Sequence, residues 1–313
     1  MARALAVDTL FEEQRRFLWS LCYRMTGNAA DADDVVQETF VRVMERPPRR
    51  TDEALRPWLV KVALNLARDL LRRRRRRDYI GPWLPSPIET GPGTGDRGLE
   101  SEPPSHEPTD LEGRYDLLES VSFAFLVALE ALTPAQRGVL LLCDVFDYSV
   151  KETAHALDLT EANVKTTHHR ARRAMETYAR ARQIPTAARQ QSTAGALKQF
   201  LRALQEHDVA AIETLLADEV RTTTDGGGEF KSALRTIVGR DKVMRFYLAV
   251  SGNAARASVR MPTLNGLPSI LVDIPDPGPG ISPRFTMTAE LDAGGRSAHL
   301  YVVSATRKLA ALG

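Results

Sequence analysis

Apolar residues recur at three- and four-residue intervals through the first part of the chain. Val36, Phe40, Val43 and Met44 make one stripe, and Trp58, Val62, Leu66 and Leu70 make another. That spacing is the period of an α-helix with one face in a core, so residues 8–78 are predicted to be helical throughout. Residues 113–182 repeat it. From residue 194 the pattern starts helical and then changes: SILVDI and SAHLYVV are β-rich runs bounded by Pro and Gly, as strands are. The pattern lapses twice. Residues 79–112 are dense in Pro, Gly, Ser and acids, a composition that cannot build a packed core. They are predicted to be an extended, mobile tether able to span about 100 Å when stretched. Residues 183–193 form a shorter polar connection with a helix-stopping Pro185. The predicted order is therefore an α domain (1–78), an α domain (113–182) and an α+β domain (194–313), without internal repeats.

Capping signals sharpen the second block. Thr133-Pro134-Ala135-Gln136 combines an N-cap, a first-turn proline and a capping-box glutamine, and opens a helix whose body, GVLLLCDVF, is core. Ser149-Val150-Lys151-Glu152 is a second capping box and starts a short helix through Leu157. Asp158-Leu159-Thr160 makes a turn, and Thr160 caps the helix EANVKTTHHRARRAMETYARA. Two helices joined by so short a turn are a helix-turn-helix.

Charge then indicates which helix meets a polyanion. Residues 130–180 hold seven Lys/Arg and seven Asp/Glu. Lys165, Arg170, Arg172, Arg173 and Arg180 all follow Glu161, so the basic charge gathers on the last helix. Val164, Ala171, Met175 and Tyr178 keep the spacing of an inward face. Lys165, His169 and Arg172 lie on another stripe, open to a major groove or its phosphates. A solvated basic surface is the plainer alternative, but caps, turn and polarity agree on a DNA-facing helix. His168 and His169 are adjacent, point in different directions and make a poor metal pair.

The first block carries two charged features. In DADDVVQETFVRVME the acids Asp31, Asp33, Asp34 and Glu38 gather at a helix start, where the macrodipole favours them, beside a strong apolar stripe. The arrangement suits a basic partner. RPWLVKVALNLARDLLRRRRRR anchors an amphipathic helix at Trp58 and ends in six arginines, Arg72 to Arg77. Running on from an ordered helix, these are candidate phosphate contacts rather than only a solvated run. Lys61, Asn65, Arg68 and Asp69 form a polar face suited to reading exposed bases.

Composition changes this picture little. Of 313 residues, 43% are hydrophobic and 26% charged, ordinary for a globular chain. No run is long and apolar enough to span a membrane, no signal peptide opens the sequence, and a cytoplasmic location without membrane contact is expected. Cys22 and Cys143 sit in apolar helical patterns as buried free thiols.

DADDVVQETFVRV followed by RPWLVKVALNLARDLLRR resembles domain two of extracytoplasmic-function sigma factors. LTPAQRGVLLLCDVFDYSVKETAHALDLTEANVKTTHHRARRAM resembles their domain four. The resemblance covers most of residues 8–180 and implies two all-α sigma domains, the second with a helix-turn-helix. It implies docking on the clamp helices of the largest subunit of core RNA polymerase through Asp31, Asp34, Gln37 and Glu38. Lys61, Asn65, Arg68, Asp69, Arg72 and Arg73 would open and read the minus-ten promoter element. Asn163, Lys165, Thr166, Thr167, His169, Arg170, Arg172 and Arg173 would meet the minus-thirty-five element. Many such factors carry Arg-Leu where this chain has Thr167-His168.

YIGPWLPSP, the DGGG run and the C-terminal domain resemble a subgroup with a fused SnoaL-like, ketosteroid-isomerase-like α+β cone. In that subgroup the extension replaces a separate anti-sigma protein, which assigns Trp83, Leu84, Pro85, Asp225, Gly226, Gly227 and Gly228 to interdomain regulation. SATRKLA stands where an Asn-Pro-Asp-Lys-Leu motif is usual. A cone fold could also hold a catalytic pocket, with Asp218, Asp225, His207 or His299 as the positioned acid or base. The spacing pairs none of them, and Asp218 and Asp225 have ordinary turn explanations. No enzymatic activity, cofactor or metal is expected. A stand-alone helix-turn-helix regulator sensing a ligand through the cone, and an enzyme tethered to DNA, are the alternatives.

Overall fold

The computed structural model describes residues 2–45, 55–75, 79–90, 115–182, 184–251 and 257–312. The chain divides into two compact units, residues 1–77 with 92–183, and residues 78–91 with 184–313. This division departs from the expected one in two respects. The two α blocks form one unit, and the start of the expected tether belongs to the C-terminal unit. Composition misjudged that start because two of its few apolar residues, Leu84 and Ile88, are buried. Its backbone is paired as well. Ile88 N donates to Asn265 Oδ1 (3.0 Å), Asn265 N to Ile88 O (3.0 Å) and Thr90 N to Thr263 O (2.9 Å). The rest of the expected tether lies outside the described residues.

The first unit begins with α1 (Ala2–Thr26), α2 (Ala29–Glu45) and α3 (Leu55–Arg75). Gly27, at φ 67°, returns its N–H to Tyr23 O and closes α1 as a left-handed C-cap. On α2 the stripe Val36, Phe40 and Val43 is buried, but Met44 is 55% exposed. On α3 the predicted stripe is displaced. Leu59, Val60, Ala63, Leu64, Ala67 and Leu71 are buried, whereas Trp58, Val62, Leu66 and Leu70 are only partly covered. The reason is that α3 has neighbours on two sides, α1 and α2 on one and two later helices of the unit on the other. Burial from both sides rotates and widens the covered face beyond what a single amphipathic stripe encodes.

The later helices of the unit are α4 (Phe123–Ala128), α5 (Pro134–Leu140), α6 (Val150–Leu157), α7 (Glu161–Ala174) and α8 (Glu176–Arg180), with a π-turn at Leu141–Val145 after α5; α5 and α6 are the two that pack on α3. Both capping boxes are present: Thr133 with Gln136, and Ser149 with Glu152.

The second unit holds α9 (Ala187–Glu206), α10 (Val209–Leu215), β1 (Leu216–Asp225), β2 (Ile237–Val238), α11 (Arg240–Ser251), β3 (Ser258–Arg260), β4 (Thr263–Leu264), β5 (Leu267–Asp273), β6 (Arg284–Leu291), β7 (Ser297–Val303) and α12 (Thr306–Leu309). The sheet runs β2-β1-β7-β6-β5-β3, with β4 on β5; among the described residues only β1 and β7 pair in parallel. One sheet face packs Ile270, Met287, Ala289 and Leu300 against Phe200, Leu204, Ile212, Val243 and Tyr247 of the helices. The other face carries a row of cross-strand partners, Thr223, Tyr301, Thr288 and Ser269, all buried and all polar or amphipathic. This is the α+β cone that the resemblance implied, and the first unit is all-α, as it also implied.

Candidate functional site

The helix-turn-helix is built from local chemistry. Asp158 ends α6 in the left-handed region (φ 55°), where a short polar side chain is tolerated. Thr160 then caps α7, its Oγ1 accepting from Asn163 N at 3.2 Å. Val164 and Ala171 are buried under α7, with Met175 at its end, while Asn163, Lys165, Thr166, His169, Arg170 and Arg173 are exposed. Thr167 is partly buried and its hydroxyl donates to Asn163 Oδ1 (3.1 Å). Arg172 is exposed as well, but unlike its predicted companions it is held by an acid of the same unit. Its Nε and Nη2 donate to the Asp144 carboxylate (3.0 and 2.6 Å), which also meets His168 Nε2 at 2.8 Å. The hydrogen bond to Asp144 raises the Arg172 guanidinium above its ordinary range, against a smaller effect of burial.

The polar face of α3 meets this same turn. Lys61 Nζ donates to Asp158 (2.5 Å), and Arg68 Nη1 to Leu157 O (3.3 Å). Burial, aided by nearby Arg72, lowers the Arg68 guanidinium. Asn65 is partly buried, and exposed Asp69 accepts from Arg72 (3.0 Å) and, through its carbonyl, from Arg73 (3.3 Å). Arg74 turns inward to Thr26 O and Glu130. Burial pushes the Glu130 carboxyl up, but Arg137 and Arg74 outweigh it and hold the group below the usual carboxylate range. The Arg75 side chain, Arg76 and Arg77 lie outside the described residues. Two surfaces that the sequence assigned to separate domains thus touch within one unit. Arg24, fully buried in α1, joins the halves through Ser120 Oγ and Leu117 O, and burial brings its guanidinium down to about 10.

On α2, Asp34, Gln37 and Glu38 are exposed, and Asp31 is partly so. Glu38 is bridged by Arg42 one turn on. Asp33 accepts from Trp19 Nε1 (2.9 Å) and is structural. Val41 (39%) and Met44 (55%) continue the exposed acidic stripe with apolar surface, Met44 having been expected in the core stripe.

In the second unit the residues of the WLP segment and the DGGG run come together. The Asp225 carboxylate is fully buried and accepts from four donors: Tyr79 Oη (2.7 Å), Leu84 N (2.7 Å), Gly227 N (3.0 Å) and Lys308 Nζ (2.5 Å). Lys308 Nζ also donates to Leu84 O and lies 4.4 Å from the Trp83 ring centroid and 5.0 Å from that of Tyr79. Gly227, at φ 62°, would place a Cβ 2.9 Å from Ala305 Cβ, so the run needs its glycine there. Lys308 is the residue missed by sequence reasoning. It belongs to SATRKLA, where Lys308-Leu309 keep the Lys-Leu end of the usual motif although the residues before them depart from it, and that match is the signal that could have found it.

The four candidate catalytic groups do not converge. Asp218 is exposed and paired with Arg240, and His207 is an exposed left-handed C-cap. Asp225 is saturated by its donors. His299 meets Thr223 Oγ1 (2.9 Å), and burial, then Arg221, lowers its imidazole to about 4. Among the described residues, no helix is long and apolar enough to cross a membrane.

The Sigma-70 region 2 family matches residues 10–77, and the Sigma-70 region 4 family matches residues 122–175. The ECF RNA polymerase sigma factor SigJ of Mycobacterium tuberculosis is 33% identical over 243 residues, covering 77% of this chain and 72% of that protein. SigG of the same organism is 36% identical over 172 residues, 53% of this chain and 46% of its own. The crystal structure of M. tuberculosis SigJ superposes with a TM-score of 0.72 at 26% identity, over 97% of this chain and 98% of that one.

Proposed function

The chain belongs to the extracytoplasmic-function RNA polymerase sigma factors, and from that membership we propose how its own residues divide the work of promoter recognition. As a sigma factor it binds core RNA polymerase and directs promoter-specific initiation. The exposed stripe Asp34, Gln37, Glu38, Val41 and Met44 docks on the basic clamp helices, with Asp31 at its edge. Lys61, Asn65, Arg68, Asp69, Arg72 and Arg73 engage the minus-ten element, and Asn163, Lys165, Thr166, Thr167, His169, Arg170 and Arg173 engage the minus-thirty-five element. The observation that carries this division is α7, which presents its polar residues with Lys165, Arg170 and Arg173 to solvent while Val164 and Ala171 hold it to the core.

The two promoter elements lie about 25 base pairs apart, which is about 85 Å of duplex at ~3.4 Å per base pair. Lys61 and Asp158 are in contact. The two sigma domains therefore separate when promoter DNA is engaged. The C-terminal cone regulates the factor in the same chain, in place of a separate anti-sigma protein, through the segment clasped by Asp225 and Lys308. Support comes from the position of that segment, which directly follows α3.

The test is transcription in vitro with core polymerase and genomic promoter fragments. Full-length protein is compared with a version ending near Ser192 and with Trp83→Ala and Gly227→Trp. Core-dependent initiation whose level changes in these variants supports the reading. Initiation by neither length, with promoter protection by the protein alone, would replace it with a stand-alone regulator. Initiation at equal levels by all variants would remove the regulatory role of the cone.

A further inference from the structure

Two side chains of the recognition helix are held by one acid, although Arg172 keeps 43% of its side chain exposed and His168 keeps 20%. Asp144 lies in the π-turn after α5 and is 3% exposed. Its carboxylate receives three donors, Arg172 Nε, Arg172 Nη2 and His168 Nε2, at 2.6–3.0 Å. Its own carbonyl accepts from Tyr115 N (3.0 Å), so its position is fixed from both ends. His168 and Arg172 are one turn apart and share a helix face. At 100° per residue that face adjoins buried Val164 and Ala171, and Arg170, Thr166 and Arg173 lie on the opposite side.

We propose that Asp144 is a positioning residue for promoter recognition, which holds α7 by His168 and Arg172 and keeps the Arg172 charge from the DNA phosphates. A bidentate Arg–carboxylate pair is among the strong side-chain hydrogen bonds and is directional, so it fixes the rotation of α7 about its axis as well as its distance. The rotation decides which side chains face the groove. The pair also neutralises Arg172, leaving Lys165, Arg170 and Arg173 as the arginine and lysine contacts of this helix. His168 supplies a third donor to the same carboxylate.

This inference rests on the reading of α7 as the DNA-facing helix, and salt dependence separates the two. Each phosphate contact contributes about 0.9 to the slope of log K against log salt. Holoenzyme binding to a cognate promoter is measured from low to moderate salt. Arg173→Gln is expected to flatten the slope by about one, and Arg172→Gln to leave it unchanged. Asp144→Asn keeps the shape but frees Arg172. It is expected to steepen the slope by about one and to cut discrimination against a scrambled minus-thirty-five element by about tenfold. Asp144→Glu should recover part of that discrimination.

A flatter slope in Arg172→Gln, matching Arg173→Gln, would mean that Arg172 touches phosphate and would overturn the proposal. Equal weakening of cognate and scrambled promoters by Asp144→Asn, with an unchanged slope, would reduce Asp144 to a brace and also overturn it. Should Asp144→Asn fail to fold, the Arg172→Gln slope decides alone. Unchanged slopes for Lys165→Gln, Arg170→Gln and Arg173→Gln together would instead sink the assignment of α7.

Discussion

Replacing Lys308 by methionine tests what holds the segment 79–90 to the cone. Methionine matches the volume of the lysine stem, so packing is largely kept, and the charge alone is lost. The Asp225 carboxylate then stays buried with three neutral donors, Tyr79 Oη, Leu84 N and Gly227 N. Removing one partner of a buried ion pair costs about 3–5 kcal/mol. The faces of Trp83 and Tyr79 lose a cation worth about 0.5–2 kcal/mol in addition. At about 1.4 kcal/mol per tenfold, the opening equilibrium of the segment should rise by at least about a hundredfold. Hydrogen exchange at the Leu84 amide reads this directly, because that N–H donates to Asp225. Asp225→Asn combined with Lys308→Met removes both charges and should cost less than the sum of the single changes. A change of less than threefold in Leu84 exchange for Lys308→Met, or strict additivity in the double variant, would refute the claim that this pair is the clasp.

Three further outcomes are expected. Burial pushes the Glu290 carboxyl up to about 7, against opposing effects of Tyr301 and Arg189, and lowers its cross-strand neighbour His299 to about 4. A raised carboxyl contributes stability below its unfolded value, lost as pH rises toward 7, whereas a lowered imidazole contributes stability that is lost as pH falls toward 4. The two slopes oppose between about pH 4.5 and 6.5, so urea titrations of the intact chain should be nearly flat there. In Glu290→Gln, stability should climb with pH across that window, and an unaltered profile would exclude the pair as its source. Ser149→Ala removes the N-cap of α6 and should cost about 1 kcal/mol by urea midpoint, with no change expected of a solvated serine. Asp158→Asn keeps a left-handed-tolerant residue and removes the partner of Lys61. Because that pair is largely exposed, the distance between labels on α3 and α7 should shift its open–closed ratio by no more than about fivefold; a larger shift would mean the pair does more than an exposed bridge can.

Much of the first unit was written locally in its sequence. Capping boxes at Thr133 and Ser149, a left-handed Asp158 and the Thr160 cap each depend on hydrogen bonds closed within five residues, so short-range patterns encode them. The polarity of α7 was legible for the same reason. The burial face of α3 was not, because a helix packed on two sides covers residues that a one-sided pattern leaves out. Nor were β1 and β6 resolved as strands, since their polar row, Thr223 and Thr288 included, is buried only by assembly of the sheet.

Sequence by itself therefore determined the family, the order of elements and the exposed cations of the recognition helix. Tertiary structure alone decided that Asp144 takes Arg172, that Lys61 and Arg68 face the turn between α6 and α7, and that segment 79–90 is no free tether. Lys308 meets Leu84 across 224 positions and Asp225 across 83. Whether such a charge is solvated or buried depends on which distant groups replace its water, and no local pattern carries that information.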